Sequence, residues 1–279
     1  MKTNIMLTGI LFSTLLISPL STLASSETNN ELLFGSVAMD IPAVMHRRLK
    51  PLTLYLSDKL GRPVSLKLSP NMGAAIKEVA DKNVDLAYLT PVAYLKAHAA
   101  GNAKIVAKTV TKGKASFQLM IVVKKDSPYK TVADLKGKTF AFGDKKALLQ
   151  RATVVGSGIN MEDFSSYEFI GHYDNIARAV FNGDFDAGIL KDTMAFQWQD
   201  KGLRILAESP ALPPYNITAS GDIDNDTLAK LKEAFLSLNH NDPKHLKIIK
   251  AVDKKYDGFA ATNDAEYDVI RKLIKPFNK

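Results

Sequence analysis

The sequence predicts an α/β protein with two similar lobes. Runs rich in branched and aromatic residues alternate with amphipathic runs of helical spacing, a pattern typical of strand–helix–strand units and mainly parallel sheets. The alternation pauses at residues 111–115 and then starts again with a long apolar run. Residues 74–90 and 168–190 also share one order: amphipathic helix, polar turn, aspartate and apolar strand. Any α/β chain could show such a repeat by chance, but the restart of the strand–helix alternation favours two sets of elements.

The first set of elements occupies residues 32–111. An amphipathic run at residues 41–60 predicts a helix that ends before Gly61, and Pro51 inside it predicts a kink or two helical pieces. Two shorter helices are expected at residues 72–82 and 92–101. The expected strands cover residues 32–38, 64–68, 84–89 and 104–110.

The second set follows and leads into a helical tail. Its expected strands cover residues 117–125, 139–143, 167–171, 185–190 and 203–209, and its helices cover 131–138, 145–158, 174–183 and 192–202. One more strand at 216–221 precedes tail helices at 226–239, 243–252 and 265–274. The chain should cross between lobes near residues 112–122 and 208–220. One lobe then comprises residues 25–115 plus 216–279, and the other comprises residues 116–215.

Residues 1–24 are typical of a secretory signal peptide. A basic start precedes an apolar run from Ile5 to Leu20, and Ala24 supplies the small residue of a cleavage site. A membrane anchor is the alternative, but polar residues interrupt the run, and a spanning helix needs about 20 predominantly apolar residues. No cysteine follows that would accept a lipid. We expect a periplasmic protein that begins near Ser25.

Composition excludes several kinds of chemistry. The 279 residues contain no cysteine, which rules out disulfides, thiolate metal sites and a cysteine nucleophile. The net charge is +8, but acidic and basic residues are interspersed, and no basic block predicts binding to nucleic acid. The sequence has no G-x-S-x-G motif, phosphate-binding glycine loop or H-E-x-x-H motif. We expect no enzyme activity, no metal and no cofactor.

The ends of the predicted strands are where a ligand is expected. In open parallel sheets, ligands bind outside the carboxyl ends of strands, near the first turn of the next helix. Helix N-termini carry free N–H groups and partial positive charge, which suits anions. The turns at these places are residues 38–42, 69–73, 89–93, 142–147, 170–175 and 190–193.

Three charged or titratable residues in these turns are candidate ligand contacts. His172 follows a predicted strand and precedes a helix, so it faces the cleft or is a solvated neighbour of a helix cap at Asp174. Position alone favours neither interpretation. Lys145 and Lys146 are either ordinary solvated lysines or contacts for an anion. The four other histidines lie in helical runs and are expected at the surface.

Four further residues are candidates for the walls of the cleft. Met72, Tyr173 and Tyr215 stand near turns and are either cleft walls or ordinary packing residues. Thr90 precedes Pro91, so its hydroxyl is either a helix cap or a ligand donor.

The sequence resembles the substrate-binding proteins of ABC importers for phosphonate and phosphite. The resemblance spans nearly all of the chain after the signal peptide. It implies a type II periplasmic-binding fold, in which two α/β lobes joined by a two-strand hinge close on a small ligand. The family's G-H-x-x-N pattern matches Gly171–Asn175, which implies a ligand contact for His172. The segments that carry the resemblance are "RRLKPLTLYLSDKLGRPVSL", "VDLAYLTPVAYLKAHA", "IVVKKDSPYKTVADLKGKTFAFGD", "GHYDNIARAVFNGDFDAGIL" and "SPALPPY".

The pocket departs from the family pattern. Phosphonate-binding members carry a serine- and threonine-rich turn after "GD", whereas here "KKALLQRA" follows and no hydroxyl occurs before Thr153. Two pocket tyrosines of the family correspond to Met72 and Leu89, and an expected acid is replaced around Pro214 and Tyr215. The ligand is therefore expected to differ from an alkylphosphonate. It is an anion held by lysines, or a less charged and more apolar molecule.

Two roles fit these features. The first is a monomeric solute-binding protein that captures a small ligand, with an oxyanion among the candidates, in a cleft between the lobes for the membrane permease of an ABC importer. The second is a sensor that presents its closed form to a membrane histidine kinase. An enzyme is a third class, which the absent motifs argue against.

Overall fold

The computed structural model describes Met1, residues 31–37 and residues 41–277. The predicted signal peptide, apart from Met1, and the predicted start near Ser25 lie outside these residues. Within them, none of the helices is both long and apolar enough to cross a membrane.

The first part of the chain alternates strands and helices as predicted. Helix α1 starts at a proline, which needs no N–H partner there, and ends where Gly61 adopts a left-handed conformation with φ of 66°. It continues without interruption through Pro51, because its buried face packs on the strands and on later helices. The elements are β1 (Leu32–Val37), α1 (Pro42–Leu60), β2 (Val64–Ser69), α2 (Met72–Ala80), β3 (Leu86–Leu89), α3 (Pro91–Gly101) and β4 (Lys104–Thr111).

The second set begins after the crossing that follows β4. Its elements are β5 (Leu119–Lys124), β6 (Thr139–Phe142), α4 (Leu148–Gly156), β7 (Ser166–Phe169), α5 (Tyr173–Asn182), β8 (Ala187–Lys191), α6 (Asp192–Gln199) and β9 (Leu203–Glu208). The predicted short helix at 131–138 is a single 3-10 turn, Val132–Leu135. The chain then forms β10 (Asn216–Ala219), α7 (Asn225–Leu236), α8 (Pro243–Val252), β11 (Tyr256–Ala260) and α9 (Asp268–Ile274).

The strands form two separate sheets. The first sheet has the order β11-β4-β10-β3-β1-β2, and the second has the order β7-β6-β8-β5-β9. Two segments connect them, residues 112–118 and 209–215. An antiparallel bridge joins these segments, with Phe117 and Leu212 exchanging backbone hydrogen bonds of 3.0 and 2.8 Å. The two-lobe α/β fold with a paired connection is thus confirmed.

Both sheets are mixed, so the prediction of mainly parallel sheets is wrong for the strands beside the crossings. Strands β10 and β11 pair antiparallel in the first sheet, and β5 pairs antiparallel with β8 and β9 in the second. For the pairs β4–β10 and β5–β9 the reason is topological, because the two crossings run side by side in opposite directions and each pair continues them into its sheet.

The C-terminal tail departs from the purely helical prediction. Strand β11 was missed, because residues 256–260 become a strand only by pairing with the outer strand β4. Helices α7 and α8 pack against α1, whereas α9 packs against α4 of the second set and α3 of the first. The predicted assignment of residues 216–279 to one lobe stays a prediction, and α9 contacts elements of both.

The repeated aspartate has the same structural role in both sets. Asp85 accepts a hydrogen bond of 2.7 Å from the backbone N–H of Leu33, near the start of the neighbouring strand β1. Asp186 accepts bonds of 2.9 and 3.0 Å from the backbone N–H and the hydroxyl of Thr139, where β6 begins. It also accepts a 2.6 Å bond from the Tyr129 hydroxyl. Each acid therefore fixes the start of an adjacent parallel strand.

Candidate ligand-binding cleft

The loops after the parallel strands of both sheets gather around the crossing segments. In the first sheet, β4 ends at Thr111 and leads directly into a crossing. In the second, Leu119 begins β5 opposite Lys191, the last residue of β8. Because the parallel strands of each sheet end on the same edge, the loops after them face this region, where α/β proteins bind ligands.

A cavity of about 580 Å³ lies among these loops and is named here the larger cavity. Its walls come from the starts of α2 and α3, from Asp144 and residues 146–149 before and within α4, and from Phe117 and Tyr215 in the crossings. Most lining side chains are apolar, and the charged ones are Lys96, Asp144 and Lys146. Elements of both sets thus enclose one space of a size suited to a small ligand.

Tyrosine rings support one wall of the larger cavity. Tyr215 stacks on Tyr88 with ring centroids 5.0 Å apart, and the Tyr88 hydroxyl is hydrogen-bonded to that of Tyr256. Burial raises the pKa of Tyr88 and Tyr215, and it raises the pKa of Tyr256 to about 12. The three packed rings therefore place the Tyr215 ring in the wall of the larger cavity.

The turn after β6 is held by a buried glutamine. The Oε1 atom of Gln150 accepts a 2.8 Å bond from the backbone N–H of Gly143, and its Nε2 atom donates a 3.3 Å bond to the Tyr173 hydroxyl. A Cβ at Gly143 would lie 2.8 Å from the carbonyl oxygen of Gly171, so only glycine fits here. The Asp144 carboxylate accepts a 2.8 Å bond from the backbone N–H of Lys146. The backbone beside the larger cavity is therefore fixed.

Four of the seven predicted site residues line the larger cavity. These are Met72, Thr90, Lys146 and Tyr215. The Thr90 hydroxyl also accepts a 3.2 Å bond from the backbone N–H of Ala93, so it is the cap of α3 as well as part of the wall. It keeps its proton free to donate to a ligand.

The other three predicted residues do not line the larger cavity. Tyr173 is half-buried at the start of α5, where burial raises its pKa. Lys145 is exposed. His172 is the exposed N-cap residue of α5, and its side chain makes no capping bond. Their roles in binding stay predictions.

A second cavity, named here the smaller cavity, has a volume of about 260 Å³. It lies between the crossing at residues 111–117 and the β8–α6 junction, and Phe117 lines both cavities. The Nζ atom of Lys191 lies 5.0 Å from the centroid of the Phe117 ring. Asp192 is buried beside it and accepts bonds of 3.2 and 2.6 Å from the backbone N–H groups of Gln118 and Thr193.

Sequence reasoning missed Phe117 and Lys191. Lys191 lies in the predicted turn at residues 190–193, and its position at a strand end is the sequence feature that points to it. Phe117 was included in a strand, although it lies in the crossing before β5. Among the described residues, no group of three or more histidine and acidic side chains could hold a metal ion.

Two mixed α/β sheets joined by two paired segments, with a cavity between their loops, define the class of type II periplasmic-binding proteins. A family model described as ABC transporter, phosphonate, periplasmic substrate-binding protein matches residues 34–267, and the chain belongs to this family. It is therefore a substrate-binding protein of an ABC importer.

The chain is also similar to individual proteins. The chain is 26% identical over 265 residues to the phosphate-import protein PhnD of Mycolicibacterium smegmatis, covering 84% of this chain and 83% of the relative. The structure of PhnD1 from Prochlorococcus marinus with methylphosphonate matches with a TM-score of 0.66 and 21% identity, covering 90% of this chain and 99% of that one. XAC2383 from Xanthomonas citri, solved with chloride, matches with a TM-score of 0.70 and 20% identity, covering 88% and 96%. At these identities the two structures support the fold alone.

Proposed function

We propose that this protein captures a small organic anion with an apolar part in the larger cavity and delivers it to an importer permease. The observation that carries the proposal is the lining of this cavity. Apolar side chains from both sets of elements and the Tyr215 ring surround it, with lysines among them. Ligand pockets of this kind bind through apolar burial and a few placed polar groups.

The proposed contacts are the residues that line the larger cavity. Met72 and Tyr215 bury the apolar part, the Thr90 hydroxyl donates a hydrogen bond, and Lys146 supplies positive charge. Tyr173, Lys145 and His172 stand on the second sheet's side of the cleft, and we propose that they approach the ligand when the lobes close.

The proposed ligand is not a simple alkylphosphonate. The turn after β6 carries Asp144 and two lysines in place of a series of hydroxyls. Losing a hydrogen bond to a charged group costs about 1.5–3 kcal/mol, so losing several lowers affinity by orders of magnitude. Calorimetry with methylphosphonate and 2-aminoethylphosphonate should show binding weaker than micromolar. Submicromolar binding of either would contradict this prediction.

We further propose that the protein works as a monomer in the periplasm after removal of residues 1–24, without enzymatic activity. Periplasmic location is what the family implies. The alternative partner, a sensor kinase, would use the same ligand-closed form. The neighbouring genes distinguish the transport role from the sensor role, because an importer requires genes for a permease and an ATPase, whereas a sensor requires a kinase gene.

Native mass spectrometry of the protein purified from its own periplasm tests the proposal. A bound small molecule should be retained, and Tyr215→Ala should release it because the aromatic wall is lost. Leu54→Ala, an exposed position on α1, is the matched control and should retain the molecule. If wild-type protein carries no small molecule and binds none from a periplasmic extract, the proposal fails.

A further inference from the structure

Lys191 is a partly buried cation at the edge of the cleft. It is half-buried at the end of β8, and within the described residues its ammonium group has no hydrogen bond or ion pair, only the Phe117 ring. The adjacent Asp192 carboxylate is occupied by two backbone N–H groups. A partly desolvated cation without a hydrogen-bonded anionic partner is energetically costly. Its presence in a cleft therefore points to a ligand that supplies the anionic partner.

The smaller cavity around Lys191 offers further donors. Two more lysines and three hydroxyl groups line it, and within the described part of the chain none of these side chains has a hydrogen bond to protein. Charge-assisted hydrogen bonds from such groups suit an oxyanion, which has several strong acceptor oxygens. The additional lining groups are Lys112, Lys114, Thr111, Ser116 and Thr193.

The two cavities meet at Phe117, which lines both. The larger one is mostly apolar, and the smaller one contains three lysines and a single acid, the buried Asp192. One ligand can therefore lie across the ring of Phe117, with different chemistry at its two ends.

We propose that the smaller cavity holds the oxyanion group of the ligand, with Lys191 as its principal cation, while the organic part lies in the larger cavity. This deepens the function proposed above and rests on it. It places the anion at the end of β8, beside the first crossing, with Lys146 in the larger cavity as an additional positive charge.

Calorimetry with sulfate and benzenesulfonate tests the proposal on the intact mature protein. Lys191→Met removes the charge but keeps the length, and it should weaken binding of both anions by about tenfold to hundredfold. Lys191→Arg keeps the charge and should lose less affinity for either anion than Lys191→Met. The matched control is Lys125→Met, which removes an exposed lysine outside both cavities and should change sulfate affinity little. Lys146→Met, in the larger cavity, should lose less sulfate affinity than Lys191→Met.

Three outcomes would overturn the proposal: a larger loss in Lys146→Met than in Lys191→Met, wild-type affinity in Lys191→Met, or no binding of either anion by wild type at millimolar concentration. In the last case, a small molecule retained from the periplasm would leave the solute-binding role standing. Thermal unfolding checks that each variant folds. If Lys191→Met does not fold, Thr193→Val replaces it, because Thr193 is exposed and its substitution should also weaken sulfate binding.

A pH series adds a readout that a purely structural role would not give. Burial lowers the pKa of Lys191. Benzenesulfonate keeps its charge, so its binding should weaken as pH rises through this lowered pKa, and Lys191→Met should lose that dependence. The other charged groups near Lys191 are Asp192, Asp253 and Lys255, together with Lys112 and Lys114 on the crossing.

Discussion

At the scale of single residues, Asp186 shows how one side chain fixes a strand. Its carboxylate accepts hydrogen bonds from the backbone and hydroxyl of Thr139 and from the hydroxyl of Tyr129. Burial alone would raise the pKa of Asp186, but these bonds outweigh it and the pKa is lowered. The ionised form is therefore the one that stabilises the fold.

We predict that Asp186→Asn lowers the free energy of unfolding by about 1.5–3 kcal/mol at neutral pH, because an amide cannot accept the same bonds on both sides. A lowered pKa gives stability that is present above the unfolded value of about 4 and lost as pH falls. Urea titrations should thus show the difference shrinking in acid. Asp174→Asn, which breaks an exposed pair with Arg178, is the control and should cost about 0.5 kcal/mol or less.

His172 is the residue whose predicted role depends most on the ligand. Its exposed ring stands at the start of α5. If it contacts the ligand, His172→Ala should weaken binding, because the imidazole ring offers a hydrogen-bond donor and an acceptor that alanine lacks. Calorimetry with the molecule retained from the periplasm measures this. Equal affinities of variant and wild type would leave His172 as a cap residue only.

At the scale of elements, α9 couples the two sets. The buried side chains of Tyr267, Ile270 and Ile274 belong to one apolar cluster with residues of β5, β6 and α4, and with Tyr94 and Leu95 of α3. The Tyr94 hydroxyl also donates a 2.7 Å bond to Asp264, just before α9. The last helix therefore packs on both lobes at once.

We predict that Ile270→Ala lowers the free energy of unfolding by about 2–5 kcal/mol, because it leaves a cavity in this shared cluster. Chemical denaturation should still show one transition, since the helix stabilises both lobes together. Leu236→Ala, at an exposed position of α7, should cost much less. Separate unfolding transitions for the two lobes in the wild-type protein would contradict this coupling.

At the scale of the whole molecule, the cavities lie between loops of both lobes, and small ligands in such clefts are mostly buried when bound. We predict that the retained ligand closes the lobes and lowers the radius of gyration measured by small-angle X-ray scattering. The crossing bridge between Phe117 and Leu212 should act as the hinge. An unchanged radius at saturating ligand would contradict closure.

The sequence by itself determined most elements, the two-set order and four lining residues, because apolar periodicity and strand ends are local features of the chain. Met72, Thr90, Lys146 and Tyr215 all stand at such ends or beside a proline turn. Only the tertiary structure decided β11, which is a strand because β4 pairs with it, and the position of α9 on both lobes. It alone also brought Lys191 against Phe117, since residues 74 positions apart meet only when β8 and the crossing lie side by side.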